Sequence, residues 1–112
     1  MSNSLTAEKT ALSLAEQVKQ AWAAHTKHLD DQALSLFEAV VKQEPTHIDA
    51  QYGLGLTLIA LKQKDRALTV FGKALELAND RARQQAADDE DPRYTMLSRM
   101  ISQQIAALQT AK

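Results

Sequence analysis

The 112-residue chain contains no cysteine, only three glycines and two prolines, and aromatic side chains make up just 4% of it. Without cysteine, disulfide bonds, thiolate metal sites and cysteine nucleophiles are all excluded. With so few glycines and prolines, little interrupts regular helices, and the abundant Ala, Leu, Gln, Lys and Glu favour them. These absences predict an all-α protein.

The chain also lacks an excess of either charge, since 13 basic and 14 acidic residues give a formal net charge of -1. Without a basic excess, we expect no nucleic-acid partner and no attachment to anionic membranes. The longest apolar run is far shorter than the ~20 residues that a membrane-spanning helix needs. The segment MSNSLTAEKT at the start does not resemble a secretory signal, so the expected compartment is cytoplasmic.

Periodic apolar residues divide the chain into about five amphipathic helices. Asp31 is expected to cap the second helix, and Thr46 the third, with Asp49 completing a capping box. Asp91 is expected to cap the fifth helix, because a proline follows it at the first helical position. The predicted helices cover residues 4–28, 31–43, 47–61, 65–86 and 92–109.

The chain resembles itself after a shift of 34 residues. The shift aligns small residues with small ones, aromatic residues with aromatic ones, and one acidic helix start with another. The aligned pairs include Ala21 with Gly55, Asp31 with Asp65, Ala33 with Ala67, Phe37 with Phe71, and Val40 with Ala74. A period of this length is typical of stacked helix-turn-helix units.

The second repeat and the proline before it carry a known pattern. Its residues are Pro45, Leu54, Gly55, Leu58, Ala67, Phe71 and Ala74. With them the chain resembles the tetratricopeptide repeat (TPR) family, whose helix-turn-helix units stack into a superhelix. The first repeat departs from the family pattern at Gln20, Ala21 and Val40. Asn79 replaces the usual closing proline, which favours a longer fourth helix.

The resemblance implies an all-α fold of antiparallel helix-turn-helix repeats, stacked as a short α-solenoid with a C-terminal capping helix. It implies one domain over residues 1–112, with repeats at about 14–45 and 46–79 and a capping region at 80–112. The last helix has an apolar stripe suited to covering the final repeat. The stripe consists of Tyr94, Leu97, Ile101, Ile105 and Leu108.

The glycines lie inside apolar helical segments, at positions 53, 55 and 72, rather than in turns. A glycine in a helix interior is up to about 1 kcal/mol less favourable than alanine, so a close helix contact is the expected reason. We expect Gly55 and Ala67 to pack backbone to backbone, with Phe71 beside them. A phosphate-binding loop is not expected, because no strand precedes the glycines. The residues predicted at helix contacts are Gly55, Ala67, Phe71, Ala74, Ala33 and Phe37.

Members of the family commonly bind peptides on a concave face formed by the first helix of each pair, and the resemblance implies such a face here. Gly53 is expected to leave room for a ligand backbone, and Trp22 and Tyr52 are residue types that dominate interface energetics. A clamp for a terminal carboxylate is not expected, because Val18, Trp22 and Tyr52 stand at several of its positions. The matching positions are Val18, Lys19, Trp22, His25, Thr26, Asp49, Tyr52, Gly53, Leu56 and Ile59.

Neither catalysis nor a cofactor is expected. No Ser/His/Asp arrangement or activated nucleophile is evident, so the chain is not predicted to be an enzyme. His25 and His28 could share a metal ion, but no third ligand is near them in sequence. The acidic run at 88–91 lacks the spacing and the glycine of a calcium loop, so no metal site is predicted.

Two questions stay open on the sequence alone. The groove is either open to a protein or peptide partner, or filled by the N-terminal extension or the last helix. The chain is either a non-enzymatic interaction module or a self-associating subunit whose oligomer is the functional form.

Overall fold

A computed structural model describes residues 12–84 and 92–110, which form five α-helices and, within those residues, no strand. Each helix packs against the next one along the chain, which confirms the predicted all-α repeat architecture. None of the helices in these residues combines the length and apolar character that crossing a membrane requires. The helices are α1 (Leu14–Thr26), α2 (Asp30–Gln43), α3 (Ile48–Ala60), α4 (Lys64–Gln84) and α5 (Arg93–Thr110).

The repeat seen in the sequence recurs in the helix boundaries. Helices α1 and α3 have 13 residues each, and they begin at Leu14 and Ile48, which are 34 residues apart. Helices α2 and α4 begin at Asp30 and Lys64, which again differ by 34. The pairs α1–α2 and α3–α4 are therefore equivalent helical hairpins, and α5 packs on α4 after the second of them.

Helix α1 begins later than the sequence predicts. One helix over 4–28 is expected, but Ser13 has an extended backbone, with φ -64° and ψ 157°. Its Oγ accepts a hydrogen bond from the Glu16 N–H at 3.1 Å, so Ser13 caps the helix and α1 starts at Leu14. Residues 4–11 lie outside the described part of the chain.

The caps predicted for the next two helices are wrong. Leu29, not Asp31, stands at the cap of α2, and Asp31 lies in the first helical turn, where its charge favours the helix dipole. His47, not Thr46, caps α3, and its Nδ1 accepts a hydrogen bond from the backbone N–H three residues on, at 3.2 Å. Asp49 is thus not needed for a capping box, and its carboxylate has another partner, described below.

Helices α1 and α3 end alike, with a non-glycine residue in the left-handed conformation. His28 has φ 61° and Lys62 has φ 62°. After each of them, the next N–H donates to the carbonyl five residues back, at 2.9 Å in the first repeat and 2.8 Å in the second. This Schellman motif satisfies carbonyls that a helix end would leave unpaired, and it stops α1 at Thr26 rather than at the predicted position.

Glycine is expected to stabilise the protein at both left-handed positions. His28→Gly and Lys62→Gly should each raise the free energy of unfolding by about 0.5–1 kcal/mol, because a side chain in that region costs about 1–2 kcal/mol. Lys27→Gly is the control, since Lys27 has an ordinary φ of -86° and glycine there should destabilise. Urea denaturation measures all three, and lower midpoints for His28→Gly and Lys62→Gly would contradict the prediction.

Helix α4 continues beyond the second repeat, as the asparagine at position 79 predicts, and its 21 residues reach Gln84. Helix α5 packs on it, with Ile101 fully buried and Ser98 Oγ donating to Asn79 Oδ1 at 2.7 Å. The predicted cap, Asp91, lies outside the described residues. The rest of the predicted apolar stripe is half-buried: Tyr94, Leu97, Ile105 and Leu108.

Two glycines of α3 receive the two phenylalanine rings of the core. Gly53 and Gly55 are about 200° apart around the helix, so they face opposite sides of it. A Cβ atom at Gly53 would collide with Phe37 of α2, and a Cβ at Gly55 would collide with Phe71 of α4. Helix α3 is therefore held between its neighbours by one glycine–phenylalanine contact on each side. The six residues predicted at helix contacts are all buried: Gly55, Ala67, Phe71, Ala74, Ala33 and Phe37.

Candidate partner-binding face

Trp22 lies at the centre of a surface that α1 and α3 form together. Its half-buried ring packs edge-to-face against Phe37, with 5.2 Å between the ring centroids, and against His25, with 5.7 Å. The indole N–H donates to Oδ2 of Asp49 at 2.9 Å, which ties α1 to α3 and orients the ring. We call this surface the α1–α3 face; its exposed and half-buried residues are Lys19, Trp22, His25, Thr26, Asp49, Leu56 and Ile59.

Trp22 is the outer member of a chain of aromatic rings that crosses both repeats. Tyr52 lies 6.4 Å from Trp22 between centroids, and Phe71 lies 5.9 Å from Tyr52. Phe37, Tyr52 and Phe71 are buried, whereas Trp22 retains exposed surface. The buried rings support Trp22 from below, so it is held in place without being covered.

Three of the ten residues predicted on this face lie in the core. Val18 and Tyr52 are 8% and 9% exposed, and both belong to the apolar core. Gly53 is buried against the ring of Phe37, which fills the space that the sequence assigns to a ligand backbone. Tyr52 therefore lies beneath the face, beside Trp22, and not on its surface. The other seven are exposed or half-buried: Lys19, Trp22, His25, Thr26, Asp49, Leu56 and Ile59.

The two helices contribute different halves of the face. Trp22 and His25 of α1 are related by the 34-residue shift to Leu56 and Ile59 of α3. All four are half-buried. The face therefore has an aromatic half on α1 and an aliphatic half on α3, with the exposed Lys19 on the first helix.

A cavity of about 470 Å³ adjoins this face at the N-terminal end of α3. Asp49 lines it and also holds Trp22, so the cavity and the face share a residue. Because α5 packs on α4, it leaves this space between its own first turn and α3. The lining residues are Glu44, Thr46, His47, Ile48, Asp49, Arg81, Arg93, Tyr94 and Leu97.

Sequence reasoning missed the far wall of this cavity. Arg81 comes from the part of α4 beyond the second repeat, and Arg93 and Tyr94 come from the start of α5. These residues have no counterpart in the 34-residue pattern, so the repeat alignment carried no signal for them. Across the cavity Glu44 and Asp49 supply acidic groups, so it presents both signs of charge.

Asp49→Ala is expected to shift the fluorescence emission of Trp22, the only tryptophan, to longer wavelength. The indole N–H loses its acceptor, and the ring becomes more mobile and more hydrated. The free energy of unfolding should fall by about 0.5–1.5 kcal/mol with the lost hydrogen bond. Asp49→Asn, which keeps an acceptor oxygen, should retain most of the wild-type emission. An Asp49→Ala spectrum identical to wild type would show that the carboxylate does not position the ring.

Within the described residues, no group of three or more histidine, aspartate or glutamate side chains is placed to hold a metal ion. What the face offers is a fixed aromatic ring, aliphatic surface and isolated charges. Such a set suits non-covalent recognition of another chain.

Paired antiparallel helices that recur at a constant interval define a helical-repeat protein. A family model described as "Tetratricopeptide repeat" matches residues 31–87, and the chain belongs to this family. The match begins inside α2, so α1 joins the repeat through its structural equivalence to α3. Comparisons with curated proteins and with solved structures found no match. Repeats of this family generally serve as non-enzymatic modules for protein–protein interaction.

Proposed function

We propose that the α1–α3 face binds an extended or helical segment of a protein partner. The observation that carries the proposal is the half-buried Trp22, fixed by Asp49 at 2.9 Å and supported by Phe37. A ring that is already immobile loses little side-chain entropy on binding, so its contact area contributes more fully to affinity. Tryptophan is also among the residue types that contribute most at interfaces.

The chemistry of the face defines the kind of segment that fits. Trp22, Leu56 and Ile59 call for apolar side chains on the partner. The cavity at the end of α3 carries both acidic and basic side chains, so it suits a polar or charged part of the same segment. The proposed ligand is therefore a segment that is apolar along most of its length and polar towards the cavity.

Selection from a random peptide library displayed on phage tests the proposal. The immobilised protein should enrich peptides rich in apolar residues, and synthetic versions should change the emission of Trp22 in a saturable way. Leu56→Gln should weaken their binding by about tenfold, because it places an amide in the apolar half of the face. Val70→Gln is a matched control, since Val70 is a half-buried aliphatic residue on α4, away from the face.

Thermal melts of Leu56→Gln and Val70→Gln identify any loss of folding, so that affinity is compared between folded proteins. Peptides that bind wild type and Leu56→Gln equally, or that leave Trp22 emission unchanged at saturation, would contradict the proposal. A library that yields no binding peptide would contradict it as well.

A further inference from the structure

The first repeat has an open groove between α1 and α2 on the side away from α3. The groove encloses about 230 Å³, and we call it the end groove. Leu29 in its wall is 47% exposed. Residues lining the groove include Gln20, Ala23, Lys27, Leu29, Gln32 and Leu36.

The second repeat shows the same groove filled. The 34-residue shift relates Gln20 and Ala23 to Leu54 and Thr57 of α3. Leu54 and Thr57 are 6% and 0% exposed, whereas Gln20 and Ala23 are exposed, because α2 packs against α3 and no described helix packs against α1 at that side. Arg66 of α4 completes the filled groove with an ion pair to Glu38 of α2, at 3.1 Å. The end groove therefore has the architecture that receives a helix.

The sequence that precedes α1 does not repeat the pattern of α2. In the same register, Asn3 corresponds to Phe37, and Thr6 corresponds to Val40. Phe37 and Val40 are fully buried in the structure. Polar side chains at these positions would lose the apolar contacts that the two residues make. In this register, Asn3 and Thr6 therefore do not match the apolar residues of the filled groove.

The opposite end of the stack carries an exposed apolar ridge on a helix. Met96 and Met100 of α5 are 56% and 42% exposed and lie one helical turn apart. The other exposed large apolar residues in the described chain are Leu12, just before α1, and Leu29, in the first repeat. Exposed apolar surface is therefore concentrated at the two ends, and methionine adapts readily to a partner surface.

We propose that α5 of a second copy docks in the end groove, with its Met96–Met100 ridge against Leu29 and Leu36. The contact joins two different surfaces, so each added copy leaves one groove and one ridge free, and the series can grow head to tail. It uses none of the residues of the α1–α3 face and stands independently of the proposed partner binding.

The end groove is more polar than the filled groove of the second repeat. This difference should weaken the contact between two copies. Gln20 and Lys27 stand where the second repeat has Leu54 and Leu61. With less apolar area to bury, docking between copies should be weaker than the packing of α2 on α3, and so reversible with concentration.

Sedimentation velocity of the full chain, from micromolar to millimolar concentration, tests the docking. The average mass of wild type should rise with concentration beyond that of a dimer. Leu29→Glu, which blocks the groove, and Met96→Glu/Met100→Glu, which blocks the ridge, should each raise the concentration for half association by about tenfold or more, because a charge is brought against apolar surface. Thr69→Glu is the control, an exposed position on α4, which does not line the groove, and should associate like wild type.

A mixture of the two blocked proteins distinguishes head-to-tail contact from a symmetric dimer. Leu29→Glu keeps its ridge and Met96→Glu/Met100→Glu keeps its groove, so together they should form dimers at concentrations where each alone is monomeric, and should not grow further. Wild type that stays monomeric throughout would overturn the proposal. So would undiminished association of either blocked protein alone, or a mixture that remains monomeric.

Discussion

Gly53→Ala and Gly55→Ala should each lower the free energy of unfolding by about 1–3 kcal/mol, although alanine favours a helix by up to about 1 kcal/mol over glycine. The added methyl group at Gly53 would collide with the ring of Phe37, and the one at Gly55 with the ring of Phe71. Both rings are fully buried, so neither can move aside without displacing a helix. Gly55→Leu adds three further carbons at the same place and should be the most damaging.

Gly72→Ala is the matched control, and its expected effect has the opposite sign. Gly72 also lies inside a helix, α4, but a Cβ atom there would meet no described atom within 4 Å. Only the helix propensity changes, so Gly72→Ala should raise the free energy of unfolding by about 0.5–1 kcal/mol.

Urea denaturation of the three alanine variants decides between packing and propensity. If close contact explains the glycines of α3, the change in the free energy of unfolding is positive for Gly72→Ala and negative for Gly53→Ala and Gly55→Ala. Stabilisation by Gly55→Ala would show that Phe71 does not need the space. Adding Phe71→Leu to Gly55→Ala should recover part of the loss, since the smaller side chain relieves the collision.

Phe37→Ala and Phe71→Ala should each lower the free energy of unfolding by about 3–5 kcal/mol, since each removes a buried ring and leaves a cavity. The free energy of unfolding of a domain of this size is typically roughly 5–15 kcal/mol in total, so either substitution removes a large fraction of the stability. Each ring fills the contact between α3 and one neighbouring helix, α2 for Phe37 and α4 for Phe71. Both rings are fully buried, so the two substitutions should lower the free energy of unfolding by similar amounts.

Tryptophan fluorescence distinguishes the two variants in their folded states. Phe37 packs 5.2 Å from Trp22, whereas the ring nearest to Phe71 is that of Tyr52, at 5.9 Å. Folded Phe37→Ala should therefore show a shifted emission maximum, and folded Phe71→Ala should show a smaller shift or none. A melting temperature of Phe37→Ala within a degree or so of wild type would contradict the role of this ring in the core.

The local features of the fold could be predicted from the sequence. The 34-residue period predicted two equivalent helix pairs, and in the structure α1 and α3 begin 34 residues apart, at Leu14 and Ile48, although the first helix was predicted to begin at residue 4. Helix propensity, apolar spacing and helix-breaking residues act over a few positions, so a single sequence is enough to recognise them. The missing proline at Asn79 was informative for the same reason, and α4 does continue past it.

The helix caps could not be predicted from the local sequence. Thr46 and Asp49 have the residue types of a capping box, but His47 takes the cap, and Asp49 accepts the indole N–H of Trp22. Trp22 and Asp49 are 27 residues apart, and only the packing of α1 beside α3 brings them together. The cavity walls contributed by Arg81 and Arg93 likewise depend on where α5 lies against α4.

Periodicity and residue size can be read from neighbouring positions in one chain, so the sequence alone predicts an all-α repeat with two small residues in α3 that require close neighbours. The side chain that packs against each glycine becomes known only when the helices are placed against one another. The ring of Phe37, from the preceding helix, packs against Gly53, so Gly53 is part of the core and not of the exposed α1–α3 face. Which ring packs against which glycine depends on the direction in which each side chain points once three helices pack together. The spacing of residues along the chain does not give this direction.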